Sequence, residues 1–239
     1  MTENWQPTKN QRMRAERSRA LLVERMVPMW GDATKCLYVE DDAGAKLRSP
    51  QDVARRAMVL WALTLRADGI DQEECQEIIS ALDLWPAVSP EEKTFLHDPD
   101  PDPELARSLV WRLEAAWVLL WALGHIKDLP WPAGMCDVQT IGDVLSPNES
   151  EQRFIDEAKL IPASTILDAQ DLTLKIHWAI RDAYIKGLGL PVDLDWRNAE
   201  RLPISACPSV GVVEQRHHVL NWIVSSDSSE NWDNIDTPT

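Results

Sequence analysis

The chain has 239 residues, a formal net charge of −15 and a hydrophobic content of 44%, with 12 tryptophans but only two phenylalanines. This composition can fill a substantial core and excludes a mostly disordered protein. The negative charge disfavours general binding to nucleic acid or to an anionic membrane surface, because both would be repelled at a distance.

Residues 1–30 are richer in basic than in acidic side chains and predict an N-terminal helix or a basic arm. Thr8 can cap a helix over residues 12–27, which Pro28 would end. We favour an exposed helix of mixed charge over an arm that binds nucleic acid. Residues 31–48 then predict a small β-hairpin near residues 34–47 or an ordered loop, since a β-prone run precedes turn residues at 41–44.

Three helix starts follow, each with a polar N-cap residue: Ser49, Asp71 and Ser89. Carboxylates and prolines then alternate over residues 98–104. This stretch contains no glycine to turn its oxygens toward one ion, so we interpret it as a stiff acidic connector and not as a calcium site. Its last residues, from Asp102, make a natural start for the next helix.

Residues 105–126 predict the central helix of the domain. Every residue from 115 to 123 is apolar, so the helix must be covered on all sides. It is too short to cross a bilayer, which takes about 20 apolar residues.

Further helices are predicted from Ser146 through Leu160, over residues 166–186, and from Pro208 or Val210 onward, with loops at 129–134 and 190–207. Strands and helices do not alternate. The chain is therefore expected to form a single all-α, mainly helical domain, with a core of residues 49–227 and a tail of residues 228–239. The central helix would be surrounded by the helices at Val53, Ile166 and Val210.

Four widely spaced cysteines, without a secretory leader or a membrane span, favour free thiols in the cytoplasm. No metal is predicted, because the five histidines form no HExxH pair and the adjacent His217 and His218 would point about 100° apart on a helix. The absence of a glycine-rich phosphate loop gives no reason to expect a cofactor.

Glu114 is the main candidate for a functional side chain. Helical spacing puts it on the face of Trp111, Trp117 and Trp121, so a carboxylate is inserted into an aromatic stripe. It would stay charged only beside a cation. The candidate partners lie on the two later helices: His177, Arg181 and Arg216.

Two interpretations of this cluster compete. In the first, a buried ion pair fixes the register of three helices. In the second, Arg181 or Arg216 binds an anion in a pocket, and Glu114 or His177 moves a proton. The spacing does not separate them, but Glu114→Gln would, since a structural pair predicts a large loss of melting temperature and a catalytic carboxylate predicts lost activity at near-normal stability.

Three tryptophans in predicted loops, Trp131, Trp196 and Trp232, either pack into the core or form part of a binding surface.

Several short motifs occur in the same order as in a known family: Arg55-Arg56-Ala57 with Leu60, Trp111-x-x-Glu114-x-x-Trp117 through Gly124, His177-Trp178-Ala179-x-Arg181-Asp182, Arg216-His217 with Leu220-Asn221-Trp222, and Trp232-Asp233. Over roughly residues 47–237 the chain resembles the uncharacterised family called domain of unknown function 4272. The resemblance implies a soluble, mainly helical domain of bacterial-type proteins and supplies no activity. The candidate polar cluster or pocket is completed by a residue of the fourth motif, Asn221.

Two hypotheses for function follow. The first is a non-catalytic, acidic cytoplasmic protein that binds a protein partner, with a basic partner favoured by charge. The second is an enzyme or a domain that binds a small anion or ligand, with a pocket lined by Glu114, His177, Arg181 and Arg216.

Overall fold

The structure is a computed structural model that describes residues 6–30, 37–145, 151–225 and 232–239. Within these ranges the chain is helical, with no strand, as expected for an all-α fold. The helices are, in chain order, α1 Lys9–Glu24, α2 Pro50–Ala67, α3 Gln72–Ala81, α4 Pro90–His97, α5 Pro103–Val110, α6 Arg112–Ala122, α7 Val138–Leu145, α8 Glu151–Asp156, α9 Ala163–Ile185 and α10 Pro208–Val224.

Side-chain caps begin five of these helices, as the sequence predicts. Each cap oxygen accepts a backbone N–H of the first turn, with distances of 2.8–3.3 Å, and the cap residues are Thr8, Ser49, Asp71, Ser89 and Asp102. Gln11 and Glu92 complete capping boxes by accepting the N–H groups of Thr8 and Ser89. A cap of this kind stabilises a helix by about 1 kcal/mol.

α6 lies at the centre, packed against α2, α10, α7 and α5, and its apolar residues are buried except for Trp117, which is half-buried. The predicted single helix over residues 105–126 is wrong in one respect, because the structure has two helices that meet at Trp111. The hydrogen bonds there are i to i+3: Trp111 N donates to Ser108 O and Glu114 N donates to Trp111 O. This tighter turn ends α5 and begins α6.

α9 packs mainly against α10 and α1, and Ile166, near its start, belongs to the apolar cluster that contains α6. Leu22 of α1 contributes to a second apolar cluster with Ile176 and Ala179 of α9. Arg14 of α1 is 1% exposed and pairs with Asp42 and Asp168. The N-terminal helix is thus held on α9 by its basic side chains.

The expected hairpin is not formed in residues 37–47, where an ordered loop turns at Asp41. Gly44 N and Ala45 N both donate to Asp41 O, at 3.0 and 2.8 Å. The backbone oxygens of this loop bond to α1 and not to a second strand, since Gln11 donates to Val39 O. Residues 34–36 lie outside the described ranges.

Three other elements differ from expectation. α7 has no counterpart in the sequence prediction. α8 is short, and its predicted start at Ser146 lies outside the described ranges. α9 begins at Ala163, three residues before the predicted start, and has no side-chain cap because proline, Pro162, occupies the N-cap position. No helix of the described chain is both long and apolar enough to span a membrane.

Candidate functional site

Glu114 lies in the interior at 1% exposure, as its apolar surroundings in the sequence suggest. Its Oε1 accepts the backbone N–H of Cys136 at 2.5 Å, and its Oε2 has no hydrogen-bond partner among the described residues. Burial and the neighbouring carboxylate both raise the pKa of the Cys136 thiol. The carboxylate therefore fastens the loop after α6 to the central helix and keeps Cys136 protonated.

Arg216 is the one of the predicted partners whose charge acts on Glu114. It is 3% exposed, and its Nη1 donates to Pro130 O at 2.5 Å. Burial lowers the pKa of Arg216, and the charge of Glu114 opposes this shift. The described contacts include no direct ion pair between them, since each side chain bonds to the backbone of the same loop, at Pro130 and at Cys136.

His177 of α9 and His217 of α10 meet inside the protein, with 2.8 Å between their Nδ1 atoms. One nitrogen donates and the other accepts, so at least one ring is neutral. Burial, with the charge of Arg181, lowers the pKa of His177 to about 4; burial, with His177 and His218, lowers that of His217 to about 3. The pair is a neutral link between two helices at physiological pH.

Arg181 and Asn221 lie elsewhere. Arg181 is exposed, with its guanidinium carbon 5.8 Å from the ring centroid of Tyr184, so the interpretation that it neutralises Glu114 is wrong.

Asn221 Oδ1 accepts a hydrogen bond from Gln170 at 2.9 Å, and Asn221 Nδ2 donates to Asp236 O at 2.8 Å. Its side chain ties the segment after residue 231 to α10.

The predicted residues do not converge on one pocket. His177 and Arg181 line a surface pocket of about 500 Å³ with Glu214. Arg216 lines a different cavity, between α1 and α9, and Glu114 lines neither. Among the described side chains, no three His, Cys, Asp or Glu residues are grouped to hold a metal ion.

The three candidate surface tryptophans are largely packed. Trp232 is 3% exposed, so the expectation that it lies on a surface is wrong. Trp131 and Trp196 are half-buried and pack against the cluster between α1 and α9. Their indoles fill space between loops and helices, because the predicted loops fold back on the core.

A buried ionic cluster around Arg56 is absent from the sequence prediction. Arg56 and Glu92 are each 1% exposed and form a two-pronged ion pair, and Arg56 Nη1 also donates to Ala87 O at 2.8 Å. The Arg56 guanidinium carbon lies 3.9 Å from the ring centroid of Trp232. Burial acts to raise the pKa of Glu92, but the charge and hydrogen bonds of Arg56 lower it on balance.

The helical spacing of apolar residues around Arg56 indicates that its side chain is buried. It lies three residues after Val53, four before Leu60 and seven before Leu63, and all three are fully buried. Side chains at these spacings share a helix face, so Arg56 belongs to the buried face of α2. Its partner Glu92 could not be found in this way, because the pairing joins two helices.

Most of the net charge comes from one stretch, which carries −11 of the formal −15. Residues 68–104 contain twelve carboxylates and one lysine, and of these carboxylates only Glu92 is buried. α3, α4 and α5 all pack against α2. Arg66, near the end of α2, donates to Ile70 O at 3.3 Å and to Asp98 O at 3.1 Å, so it holds both ends of the stretch together. We call the exposed carboxylates of residues 68–104 the acidic face.

The family profile described as domain of unknown function (DUF4272) matches residues 14–235, which include nearly the whole fold. The chain belongs to the DUF4272 family. No curated protein and no solved structure matches it.

The motifs on which the DUF4272 resemblance rests meet in the interior of the fold. Arg56 stacks on Trp232, and His177 bonds to His217. The Trp111 ring packs against the backbone of α10 at Gly211. In this chain, therefore, the motif residues named here link distant helices. Arg56 and Trp232 also line one pocket of about 420 Å³, together with Arg55 and Trp222 of the same set of motifs.

Proposed function

We propose that this DUF4272 protein acts without catalysis, by binding a basic protein partner through the acidic face. The observation that carries the proposal is the distribution of charge: one stretch holds twelve carboxylates against a single lysine, and its two ends are tied together by Arg66. Such a one-sign surface steers a cationic partner during association and selects against acidic ones.

The alternative, a pocket lined by Glu114, His177, Arg181 and Arg216, has less support. Two of these side chains line one pocket, Arg216 lines another, and Glu114 bonds to loop backbone. The proposal keeps the cytoplasmic location expected from the sequence. Within the described residues the thiols of Cys75, Cys136 and Cys207 are free, which suits a reducing compartment.

The test variant replaces four exposed carboxylates of the acidic face by amides: Glu74→Gln, Glu77→Gln, Asp100→Asn and Glu104→Gln. The matched control makes the same change in charge on other helices and loops: Glu16→Gln, Asp143→Asn, Asp156→Asn and Glu200→Gln. None of the eight is an N-cap residue, so both variants should fold normally.

Binding of a fluorescein-labelled oligolysine peptide is measured by fluorescence anisotropy at low and at physiological ionic strength. We expect the acidic-face variant to bind about tenfold more weakly at low salt and the control variant to bind like the wild type. In pull-downs quantified by mass spectrometry, basic proteins captured by the wild type and the control should be lost with the acidic-face variant. Equal behaviour of the two variants would contradict the proposal.

A further inference from the structure

A cavity of about 520 Å³ lies between α1, the loop that follows α6, and α9. Its volume is within the range of small-molecule sites, about 300–1,000 Å³. Arg216 of α10 reaches it from the interior, and the loop at Pro130 and Trp131 closes one side. The cavity is separate from the acidic face and contains none of its residues.

Arg216 gives this cavity a buried cation with unused donors. A guanidinium has five N–H donors, but the only hydrogen bond that the described residues accept from Arg216 is the one to Pro130 O. Nε of Arg216 and Oε2 of Glu114 are both buried without a partner. Glu114 thus compensates part of the charge of Arg216 without a hydrogen bond to it among the described contacts.

The apolar walls are held in place by contacts with the rest of the protein. Trp121 belongs to the central helix and is 6% exposed. Trp131 donates through Nε1 to Asp193 O at 2.9 Å, and the guanidinium carbon of Arg25 lies 4.3 Å from its ring centroid. Rings fixed in this way lose little freedom when a ligand packs against them.

The lining is positive in a protein of net charge −15. Four cationic side chains line the cavity, against two carboxylates, and they are Arg17, Arg25, Lys127 and Arg216. One of the carboxylates, Asp168, already pairs with Arg14 and Arg17. An anion that is repelled by most of the surface is therefore attracted here.

We propose that this cavity binds a small organic carboxylate, with the carboxylate group held by Arg216 and an aromatic or aliphatic body packed against Trp121 and Trp131. An inorganic anion would leave the apolar walls unfilled. A neutral apolar molecule would leave the donors of Arg216 without acceptors, which is costly once water is displaced.

Isothermal titration calorimetry with hydrocinnamate and its neutral amide tests the proposal on the full chain. Hydrocinnamate should bind saturably, and the amide at least about tenfold more weakly, because the charge-assisted hydrogen bonds to Arg216 are lost. Leu172→Trp fills the cavity from the wall of α9, keeps Arg216 in place in the sequence, and should abolish binding. Arg181→Met removes an exposed arginine outside the cavity and should leave the affinity unchanged.

Arg216→Met should also abolish binding of hydrocinnamate; if circular dichroism shows that this variant does not fold, Leu172→Trp decides the question. The proposal is overturned by the absence of saturable binding, by equal affinity for acid and amide, or by unchanged binding in the Leu172→Trp variant. Sulfate binding as tightly as hydrocinnamate would overturn it as well, since the site would then recognise charge alone. The acidic-face variant should bind hydrocinnamate like the wild type.

Discussion

Arg56 and Glu92 illustrate how the stability of this fold depends on single side chains. Removing one member leaves the other as a buried, unpaired charge, which costs about 3–5 kcal/mol of unfolding free energy, whereas replacing both with apolar residues costs much less. We therefore expect Arg56→Met and Glu92→Met each to be strongly destabilising, and the double variant to lose clearly less than the two losses combined.

Urea unfolding followed by tryptophan fluorescence measures the three variants against the wild type. If the unfolding free energy lost by the double variant equals the sum of the two single losses within about 0.5 kcal/mol, the two side chains contribute independently and the prediction is wrong. The Glu92 substitution also removes a capping-box acceptor. Glu92→Gln keeps that acceptor while losing the charge, and it separates the two contributions.

The buried histidines predict a dependence of stability on pH. In the unfolded chain a histidine titrates near pH 6.5, while burial lowers the pKa of His177 to about 4 and of His217 to about 3. Between these values the unfolded state takes up protons that the folded state does not, so the unfolding free energy falls as the pH falls from about 6.5 to about 4.

His217→Asn removes one of these titrations and keeps a hydrogen-bonding atom near the position of Nδ1. The unfolding free energy of this variant, measured by urea titration from pH 7 to pH 4, should therefore fall less steeply, by about 1.4 kcal/mol per pH unit at most. A slope equal to that of the wild type would show that His217 does not titrate differently in the two states.

At the scale of elements, the approach of α10 to Trp111 depends on Gly211. A Cβ atom added there would lie 2.8–2.9 Å from atoms of the Trp111 ring, closer than packed carbon atoms allow. We expect Gly211→Ala to destabilise the fold by about 1–3 kcal/mol, even though alanine favours a helix by about 1 kcal/mol over glycine.

Thermal unfolding compares Gly211→Ala with the double variant Gly211→Ala/Trp111→Phe. Because the smaller ring of phenylalanine leaves room for the added Cβ, the melting temperature of the double variant should fall by less than the sum of the falls measured for Gly211→Ala and Trp111→Phe alone. Gly134, which has open space around it, supplies the control substitution Gly134→Ala, and this should be near neutral. A stabilising Gly211→Ala would contradict the close packing.

Helix starts are the part of this fold that the sequence predicts best, because a cap and its first turn are neighbours along the chain. The caps at Ser49 and Ser89 are confirmed for this reason. The break at Trp111 and the start of α9 were not predicted. The break lies where the Trp111 ring packs against α10, a tertiary contact, and α9 follows Pro162, which provides no side-chain cap to mark its start.

At the scale of the whole molecule, the sequence predicts the fold class and the burial of Glu114 but not the geometry of a site. A helix that is apolar on all sides over residues 115–123 must be buried, so Glu114, directly before this run, is buried with it. Which cation approaches that carboxylate depends on how three helices cross. His177, Arg181 and Arg216 were equal candidates by spacing, yet the fold places them in three different environments.

The stacking of two arginines on tryptophans near the C-terminus has a consequence for synthesis of the chain. Arg48 and Arg56 stack on Trp222 and Trp232, which the ribosome adds long after α2 itself. Until those indoles emerge, two guanidinium groups at the start of the domain lack their aromatic covers. α2 can pack against the helices that follow it, α3 to α6, before then, but the packing around Arg48 and Arg56 is completed only when the C-terminal segment has been translated.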